Sequence, residues 1–240
     1  SAEYASSISW DVSTRMIGGL VMTHGDDNGV RTPPRLAPIE VVIVPIWKSD
    51  EERARLLEAA YQVKQELSTW NGRGDDRIRV HVDAREGMKP GAKYYEWELQ
   101  GVPLRLEIGP RDLASGACMS ARRDTRAKAS LSFVGLPETI ATLLTTIQGD
   151  MLHAARERRE ANSIREPISY DRFRELMEGE GAFVYAGWNG DPAIEAKVKE
   201  ETKATIRCIP ESEFLTQGAA TPCMVTGEPA KHTVIWARSY

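Results

Sequence analysis

The sequence predicts an α/β fold, in which a mixed five-stranded sheet packed by helices is followed by a small α+β domain. Five strand-like and three helix-like segments lie between residues 39 and 155, and their order, β-α-β-α-β-β-β-α, is typical of helices packed on a mixed sheet. Proline-containing segments at 33–38 and 164–167 separate this region from shorter ones on either side. We therefore expect a central domain of about 120 residues and a smaller domain after it.

Composition and charge exclude several protein classes. Of the 240 residues, 41% are hydrophobic and 28% charged, which is normal for a soluble globular protein and not for a disordered tail, a collagen-like chain or a coiled coil. The longest apolar run, Val41 to Trp47, is too short to cross a bilayer, which needs about 20 residues. No basic segment precedes an apolar one at the N-terminus, and three cysteines form an odd, widely spaced set. We expect a cytoplasmic protein in a reducing compartment, without membrane contact.

The first 37 residues are predicted to be one part of a larger domain. Residues 16–22 form an unbroken apolar run that suits a buried strand or helix and must be covered on more than one side. Only 15 residues precede the run, too few to supply that cover. The stiff segment 33–38 then predicts a domain boundary at residue 37.

The central domain, residues 38–162, is predicted to begin with a buried strand at 39–47, rich in valine and isoleucine. A helix follows at 50–70 and ends at the glycine-containing segment 71–74. Its apolar stripe is formed by Ala54, Leu57 and Tyr61, with Lys64 at the same spacing, and is widened by Leu56, Ala60, Val63 and Leu67.

Two further strands are separated by a short helix. The strands at 78–82 and 104–108 alternate apolar with charged or polar side chains, and a helix is expected at 93–100 between them. In the second strand the alternation predicts that Arg105 and Glu107 lie on the face opposite the buried one.

A hairpin and a long helix complete the central domain. Segments 117–122 and 129–134 flank a polar turn, a pattern typical of a hairpin. Pro137 then opens a helix whose apolar residues continue to Ala155.

The C-terminal domain, residues 163–240, is predicted to be a small α+β unit after the linker at 164–167. Asp191 is an N-cap and Pro192 takes the first helical position. The expected elements are a helix at 170–178, a strand at 182–188, a helix from Pro192 to about Thr202, and strands at 205–209 and 233–238. The core is expected to consist of Phe183, Tyr185, Ile206, Ile235 and Trp236.

A basic patch is hidden within a chain of net charge −4. Residues 101–130 carry six basic and three acidic side chains, a local charge of +3. On charge alone, a solvated basic edge and a nucleic-acid contact explain the patch equally well. Glu98 and Arg105, beside or within this patch, could form only an ion pair inside the domain.

Several blocks, in order along the chain, resemble a known family. The blocks are residues 9–19, 22–27, 33–38, 93–98, 101–105, 107–112, 200–208 and 237–240. They resemble the class II aminoacyl-tRNA synthetases, in the form of prolyl-tRNA synthetases of the archaeal/eukaryotic-like type. The first block is similar to the third signature motif of that class, and the resemblance covers essentially the whole chain.

The resemblance implies a role for each region. Residues 1–37 would be the tail of the class II catalytic domain, 38–162 the anticodon-binding domain, and 163–240 a domain like the family's zinc domain. The first two motifs of the family would lie upstream, so the chain resembles the C-terminal half of a homodimeric ligase. Such a ligase uses ATP and magnesium to attach proline to tRNA(Pro), and we expect this chain alone to be inactive in that reaction.

The resemblance also implies an ATP-contacting pair. Arg15 would be the motif arginine that binds ATP during catalysis, and Ser13 would be a hydroxyl beside the nucleotide. Asp11 departs from the family, which normally has glycine at this position. A carboxylate there adds bulk and repels phosphate, whereas glycine lets the backbone approach closely.

Four residues are placed by the resemblance on the anticodon-reading face, namely Glu98, Arg105, Arg111 and Lys128. Proline anticodons contain two successive guanines. A carboxylate such as Glu98 can accept hydrogen bonds from guanine, and arginine or lysine can donate to guanine or to phosphate.

The segment Cys223–Gly227 resembles the Cys-x-x-Cys-Gly knuckle that binds zinc in some relatives. Thr226 replaces the second cysteine, residues 189–194 contain none where the other ligand pair would fall, and Cys208 matches a position that is not a ligand. Structural zinc needs four cysteine or histidine ligands, so no zinc is expected. The terminal Tyr240 either reaches toward the catalytic domain, as in the family, or is a frayed end.

Two other functions stay open at this point. The chain could be a synthetase-derived module that binds tRNA without activating an amino acid, or a packing or dimerisation appendage without affinity for RNA. Upstream motifs with a proline pocket in the full reading frame would favour the ligase.

Overall fold

The computed structural model describes residues 8–74, 76–211 and 222–238. Contacts between Cα atoms divide the chain into two compact units, the first ending at Ala155 and the second beginning at Arg156. Both units combine a sheet with helices, which confirms the predicted α/β class. Ser239 and Tyr240 lie outside the described residues, and the predicted boundary at residue 37 stays a prediction.

The first unit contains the predicted mixed five-stranded sheet, with the strand order β2-β1-β3-β4-β5. The strands are β1 (Val41–Pro45), β2 (Val80–Val82), β3 (Leu104–Ile108), β4 (Ala117–Arg122) and β5 (Lys128–Ser132). β1 pairs in parallel with β2 and β3, and β3, β4 and β5 are antiparallel neighbours. The hairpin prediction is therefore confirmed, and β5 forms one edge of the sheet.

Five helices accompany this sheet. They are α1 (Arg15–His24), α2 (Asp50–Thr69), α3 (Pro90–Leu99), α4 (Pro110–Ala114) and α5 (Leu136–Ala161). The residues of α5 after Ala155 belong to the second unit. The Ser49 hydroxyl accepts a hydrogen bond from the backbone N–H of Glu52 at 3.3 Å, which fixes the start of α2. The sequence did not indicate the short helix α4.

The main core lies on the face of the sheet that α2 and α5 cover. Leu56, Ala60, Val63 and Leu67 are the buried residues of α2. The expected stripe through Ala54 and Tyr61 is wrong, because both are exposed. Residues spaced like 56, 60, 63 and 67 form a single helical stripe, and this stripe is the one that packs in the main core.

The opposite face of the same sheet is also covered. Val42 and Val44 of β1 are completely buried there and pack with Trp97 of α3 and with Val102. α3 thus forms the second layer over β1 and β3.

The apolar run at 16–22 forms the helix α1, one of the two predicted possibilities, but it is not buried. No residue of α1 is buried, and Met16 and Ile17 are each more than 60% exposed. Within the described part of the chain, nothing supplies the cover that the sequence predicts.

The second unit has a four-stranded sheet in the order β6-β7-β9-β8. Its strands are β6 (Ser163–Ile164), β7 (Phe183–Trp188), β8 (Ala204–Cys208) and β9 (His232–Arg238), and its helices are α6 (Tyr170–Glu178) and α7 (Pro192–Thr202). The linker predicted at 164–167 is wrong at its first residue, because Ile164 pairs in parallel with Val184 of β7. No helix in the described part of the chain has the length and apolar character needed to span a bilayer.

The core of this unit differs from the prediction. Trp236 is buried as expected, but Phe183 is 41% exposed and Tyr185, Ile206 and Ile235 are only partly buried. The buried residues are Phe173, Met177, Val184, Ala186, Val198, Ala204, Val234 and Trp236. Alternate residues of a strand point to opposite faces, and α6 and α7 cover the face of Val184 rather than that of Phe183.

Candidate functional site

Arg105 is the centre of a group of charged residues between β3 and α3. Its Nη1 donates to Glu98 Oε1 at 2.8 Å, and its Nε and Nη2 donate to Glu107 Oε1 at 3.1 and 3.0 Å. The guanidinium lies 3.9 Å from the ring centroid of Tyr94. Burial, together with the charge of Glu107 and a hydrogen bond to it, raises the pKa of Tyr94, so this phenol stays neutral.

The prediction that Arg105 lies on the sheet face opposite the main core is confirmed, but this face is covered from solvent. Arg105 is only 8% exposed, because α3 lies over this part of the sheet. Its three donor contacts to two carboxylates make the burial possible, since a buried charge without partners is strongly destabilising.

A cavity of about 310 Å³ opens beside this group. Its lining residues are Tyr94, Glu98, Arg105, Ala121, Arg122, Arg123, Arg126 and Lys128, from α3, β3 and the β4–β5 hairpin. Five of these residues are cationic and one is a carboxylate. The side chain of Glu98 is 38% exposed, so its carboxylate is accessible from solvent while Arg105 holds it.

The cations around the cavity are of two kinds. Arg122 is held by Asp124 and by Asp150, each at 2.6 Å, and its role is to fix the hairpin. The side chains of Arg126 and Lys128 are 66% and 55% exposed and have only long contacts, at 4.0 and 3.6 Å, to carboxylates. These two cations are therefore the ones that a ligand can reach from solvent.

Arg123 joins the hairpin to the segment that precedes the sheet. Its two terminal nitrogens donate to the two carboxylate oxygens of Asp26 at 3.0 and 2.6 Å, and its Nε donates to the carbonyl of Glu98 at 2.8 Å. The hydrogen bond from Arg123 holds the pKa of Asp26 well below its usual range. The same segment also packs closely on the end of α3. Gly29 has a φ of 117° and lies so close to the backbone of Leu99 that a Cβ would collide with it.

Three of the four residues predicted to read an anticodon thus come together, namely Glu98, Arg105 and Lys128. Arg111 does not line the cavity and lies exposed in α4. Arg111 therefore cannot contact the same ligand group as Glu98 in this cavity. The sequence did not indicate α4, so it could not show that Arg111 lies apart from the other three residues.

Arg15 and Ser13, the pair predicted to contact ATP, are both exposed at the beginning of α1. Asp11, two residues before Ser13, is also exposed and accepts a hydrogen bond from the Ser9 hydroxyl at 2.7 Å. The described residues therefore do not enclose a nucleotide at this position.

Cys223 is buried in a turn whose other polar groups bind one another. Asn189 Nδ2 and the Thr226 hydroxyl donate to Glu228 Oε2 at 3.0 and 3.2 Å. Burial raises the pKa of Cys223, but hydrogen bonds from the Thr226 side chain and from backbone amides outweigh it and lower the pKa overall. Among the described residues, no group of three or more His, Cys, Asp or Glu side chains is arranged to hold a metal ion.

Sequence reasoning missed two residues of the site, Tyr94 and Asp26. Tyr94 precedes Glu98 by four positions in a predicted helix, a spacing that places both on one face, so a signal was available. Asp26 is 97 positions from Arg123, and no local pattern indicated that they meet.

The cavity suits a ligand with two parts: a planar edge that donates hydrogen bonds to the carboxylate, and a negatively charged group that meets the cations. A fixed carboxylate accepts from paired N–H donors such as those on the Watson–Crick edge of guanine, which adenine does not present in the same arrangement. Exposed arginine and lysine side chains at the rim favour phosphate oxygens. The arrangement is therefore suited to an unpaired guanine nucleotide.

Comparisons with known proteins found matches in both units of the chain. Residues 40–143 match the family model described as "Anticodon binding domain", and residues 170–240 match "Prolyl-tRNA synthetase, C-terminal". The chain is 46% identical over 241 aligned positions to the proline–tRNA ligase of Chloroflexus aurantiacus, and 44% and 42% identical over 238 positions to those of Porphyromonas gingivalis and Christiangramia forsetii. Each alignment covers 99% of this chain but only 46–48% of the relative, so the chain spans about half the length of the curated relatives it matches.

Proposed function

We propose that this chain belongs to the prolyl-tRNA synthetase family, forms the C-terminal part of a proline–tRNA ligase and binds the anticodon loop of tRNA(Pro). The two family-model matches and the 42–46% identity to proline–tRNA ligases support this proposal. The observation that carries the proposal is the carboxylate of Glu98, held by Arg105 at the opening of a cationic cavity. This is the part of the molecule in which discrimination between bases can arise.

Glu98 is proposed to accept from the N1–H and the exocyclic amine of an anticodon guanine. A carboxylate can accept about four hydrogen bonds, so the one from Arg105 leaves capacity for a base. Arg105 itself is a positioning residue, because its donors are engaged with Glu98 and Glu107 and little of it is exposed. An adenine in the same place leaves the carboxylate without its donors, which costs affinity.

Lys128 and Arg126 are proposed to contact phosphates of the loop. Both are exposed cations beside the cavity and have only long-range carboxylate partners. Such contacts fix the register of the loop on the protein and add affinity, but they carry no base discrimination. Arg111, outside the cavity, is proposed to serve in the same way for a more distant phosphate.

The aminoacylation reaction is proposed for a longer protein, about as long as the relatives, that contains this chain. There, Arg15 and Ser13 would be the ATP-contacting pair, with magnesium and proline as further ligands and a homodimer as the assembly. Because these two residues are exposed in this chain, a module that binds tRNA without activating proline is the second candidate.

The test of the proposed function is a binding measurement with RNA stem-loops. The chain is expected to bind a proline-type anticodon stem-loop of about 17 nucleotides, which holds the loop and a short stem. Binding is expected to weaken by about 1–3 kcal/mol when both anticodon guanines are replaced by adenine, because Glu98 reads one of them. Fluorescence anisotropy at fixed ionic strength measures both affinities. Equal affinity for the guanine and adenine loops would refute anticodon reading by this chain.

A further inference from the structure

The four-stranded sheet of the second unit has a face on which apolar and aromatic side chains are open to solvent. Tyr185 of β7 is paired in register with Ile235 of β9, which in turn lies opposite Cys208 of β8. Phe183, two residues before Tyr185, is 41% exposed on the same face. A groove of about 640 Å³ follows this row of residues.

Arginine side chains border the groove. Arg165 lies with its guanidinium carbon 4.1 Å from the ring centroid of Tyr185 and donates to Glu160 Oε2 at 2.7 Å. Arg159 donates to the other oxygen of Glu160 at 2.6 Å. One carboxylate thus holds two guanidinium groups at the rim, and Arg207 lines the groove as a third.

The charge and shape of this face indicate its ligand. Among the described residues that line the groove, three are arginines and two are carboxylates, Glu160 and Glu211, which is an excess of one positive charge. Flat aromatic rings and guanidinium planes next to each other are the groups on which unpaired bases stack, while excess positive charge attracts phosphate. An acidic peptide would use the arginines but would gain little from the rings.

We propose that this face of the second unit binds unpaired nucleotides of an RNA strand, as a contact separate from the cavity at Glu98. One base stacks on Phe183, and a neighbouring base stacks on the pair formed by Tyr185 and Arg165. Phosphates beside these bases contact Arg159. The contact is tolerant of sequence, because stacking uses the face of any base. It does not depend on anticodon reading by the first unit.

The test uses the whole chain and a fluorescein-labelled octa-adenylate, which contains no guanine and forms no stem. Phe183→Ala and Tyr185→Leu are each expected to weaken binding by at least about fivefold, the loss typical of one stacked base. Tyr185→Phe keeps the ring and is expected to bind like the unchanged chain. Arg172→Gln is the matched control for Arg159→Gln, because Arg172 is similarly exposed and ion-paired but lies on α6.

Arg159→Gln is expected to lower the salt dependence of binding, and Arg172→Gln is expected to leave it unchanged. Thermal unfolding of each variant shows whether a loss of binding comes from a loss of folding. Unchanged affinity in a folded Phe183→Ala variant would overturn the proposal, as would equal loss in Tyr185→Phe and Tyr185→Leu.

Lys128→Ala separates this proposal from the proposed function, because Lys128 is proposed to contact phosphate in the first cavity whatever the base. It is expected to leave octa-adenylate binding unchanged, and loss of that binding would mean that the RNA occupies the first cavity, which overturns the proposal. If the chain did not prefer the guanine stem-loop but still bound octa-adenylate through Phe183, the anticodon proposal would fail and this one would stand. Binding of a glutamate-rich peptide in place of octa-adenylate would also overturn it.

Discussion

Arg105 Nη1 lies 2.8 Å from Glu98 Oε1, so a buried guanidinium in β3 fixes a half-exposed carboxylate at the end of α3. The same guanidinium binds Glu107, and therefore cannot turn toward a ligand without breaking three hydrogen bonds. This relationship assigns different roles to the two residues: Glu98 can meet a ligand, and Arg105 keeps it in place. A group held in its binding geometry before the ligand arrives loses less entropy on binding.

Glu98→Ala is expected to weaken binding of the proline-type stem-loop by about 1–3 kcal/mol and to weaken binding of an adenine-substituted loop less, because only guanine offers the donors that the carboxylate accepts. Anisotropy titrations measure both. Glu96→Ala is the matched control, since Glu96 lies on the same helix, has the same 38% side-chain exposure and pairs with Arg85 instead. Equal losses for both loops would show that Glu98 does not read the base.

Lys128→Ala is expected to weaken binding of every stem-loop by a similar factor and to reduce the slope of log affinity against log salt concentration by about one, because one phosphate contact is lost. Titrations at several potassium chloride concentrations give this slope. Lys197→Ala, at an exposed position of α7, should change neither affinity nor slope. A selective effect of Lys128→Ala on one loop sequence would contradict a pure phosphate contact.

Asp26→Asn is expected to lower the free energy of unfolding by about 1–3 kcal/mol at pH 7, because the charged hydrogen bonds to Arg123 are weakened. The folded-state pKa of Asp26 lies below its ordinary value of 3.8, so its stabilising effect is complete above that value and is lost as the pH falls below it. The difference between the variant and the unchanged chain should therefore shrink below about pH 4.

Urea unfolding between pH 3 and pH 7 measures this difference. Asp27→Asn, at the exposed neighbouring position, serves as the control and should change stability little. A destabilisation of Asp26→Asn that stayed constant over the whole pH range would disprove the charged contact with Arg123.

The chain is expected to bind no stoichiometric zinc at Cys223, because Asn189, Thr226 and Glu228 bind one another beside this single cysteine. Metal analysis of the purified chain measures zinc content directly. Addition of a chelator should leave the melting temperature unchanged, since apolar burial around Phe173 and Trp236 stabilises this unit. About one zinc per chain would show the prediction to be wrong.

The chain is expected to show no proline-dependent exchange of pyrophosphate into ATP, because Arg15 and Ser13 are exposed and the described residues do not enclose a nucleotide around them. A full-length proline–tRNA ligase from Chloroflexus aurantiacus provides the positive control. Exchange above background by this chain would contradict the prediction.

Much of the local structure could be predicted from the sequence, because the groups that decide it are near in the chain. Ser49 and Asp191 each accept a hydrogen bond from a backbone N–H two or three residues later, and they begin α2 and α7 where predicted. The polar turn between β4 and β5 likewise predicted their pairing. These signals depend only on side chains within a few positions of each other.

The sequence by itself thus determined the order of strands and helices except α4 and β6, the mixed sheet and the presence of a basic patch. Only the tertiary structure decided which side of each strand is buried, since alternation in β7 marks two faces but not which one α6 and α7 cover. It also decided which cations are structural: Arg123 meets Asp26 across 97 positions, whereas Lys128 extends into solvent. Such pairings depend on the folded path of the whole chain, and for this reason no local pattern could give them.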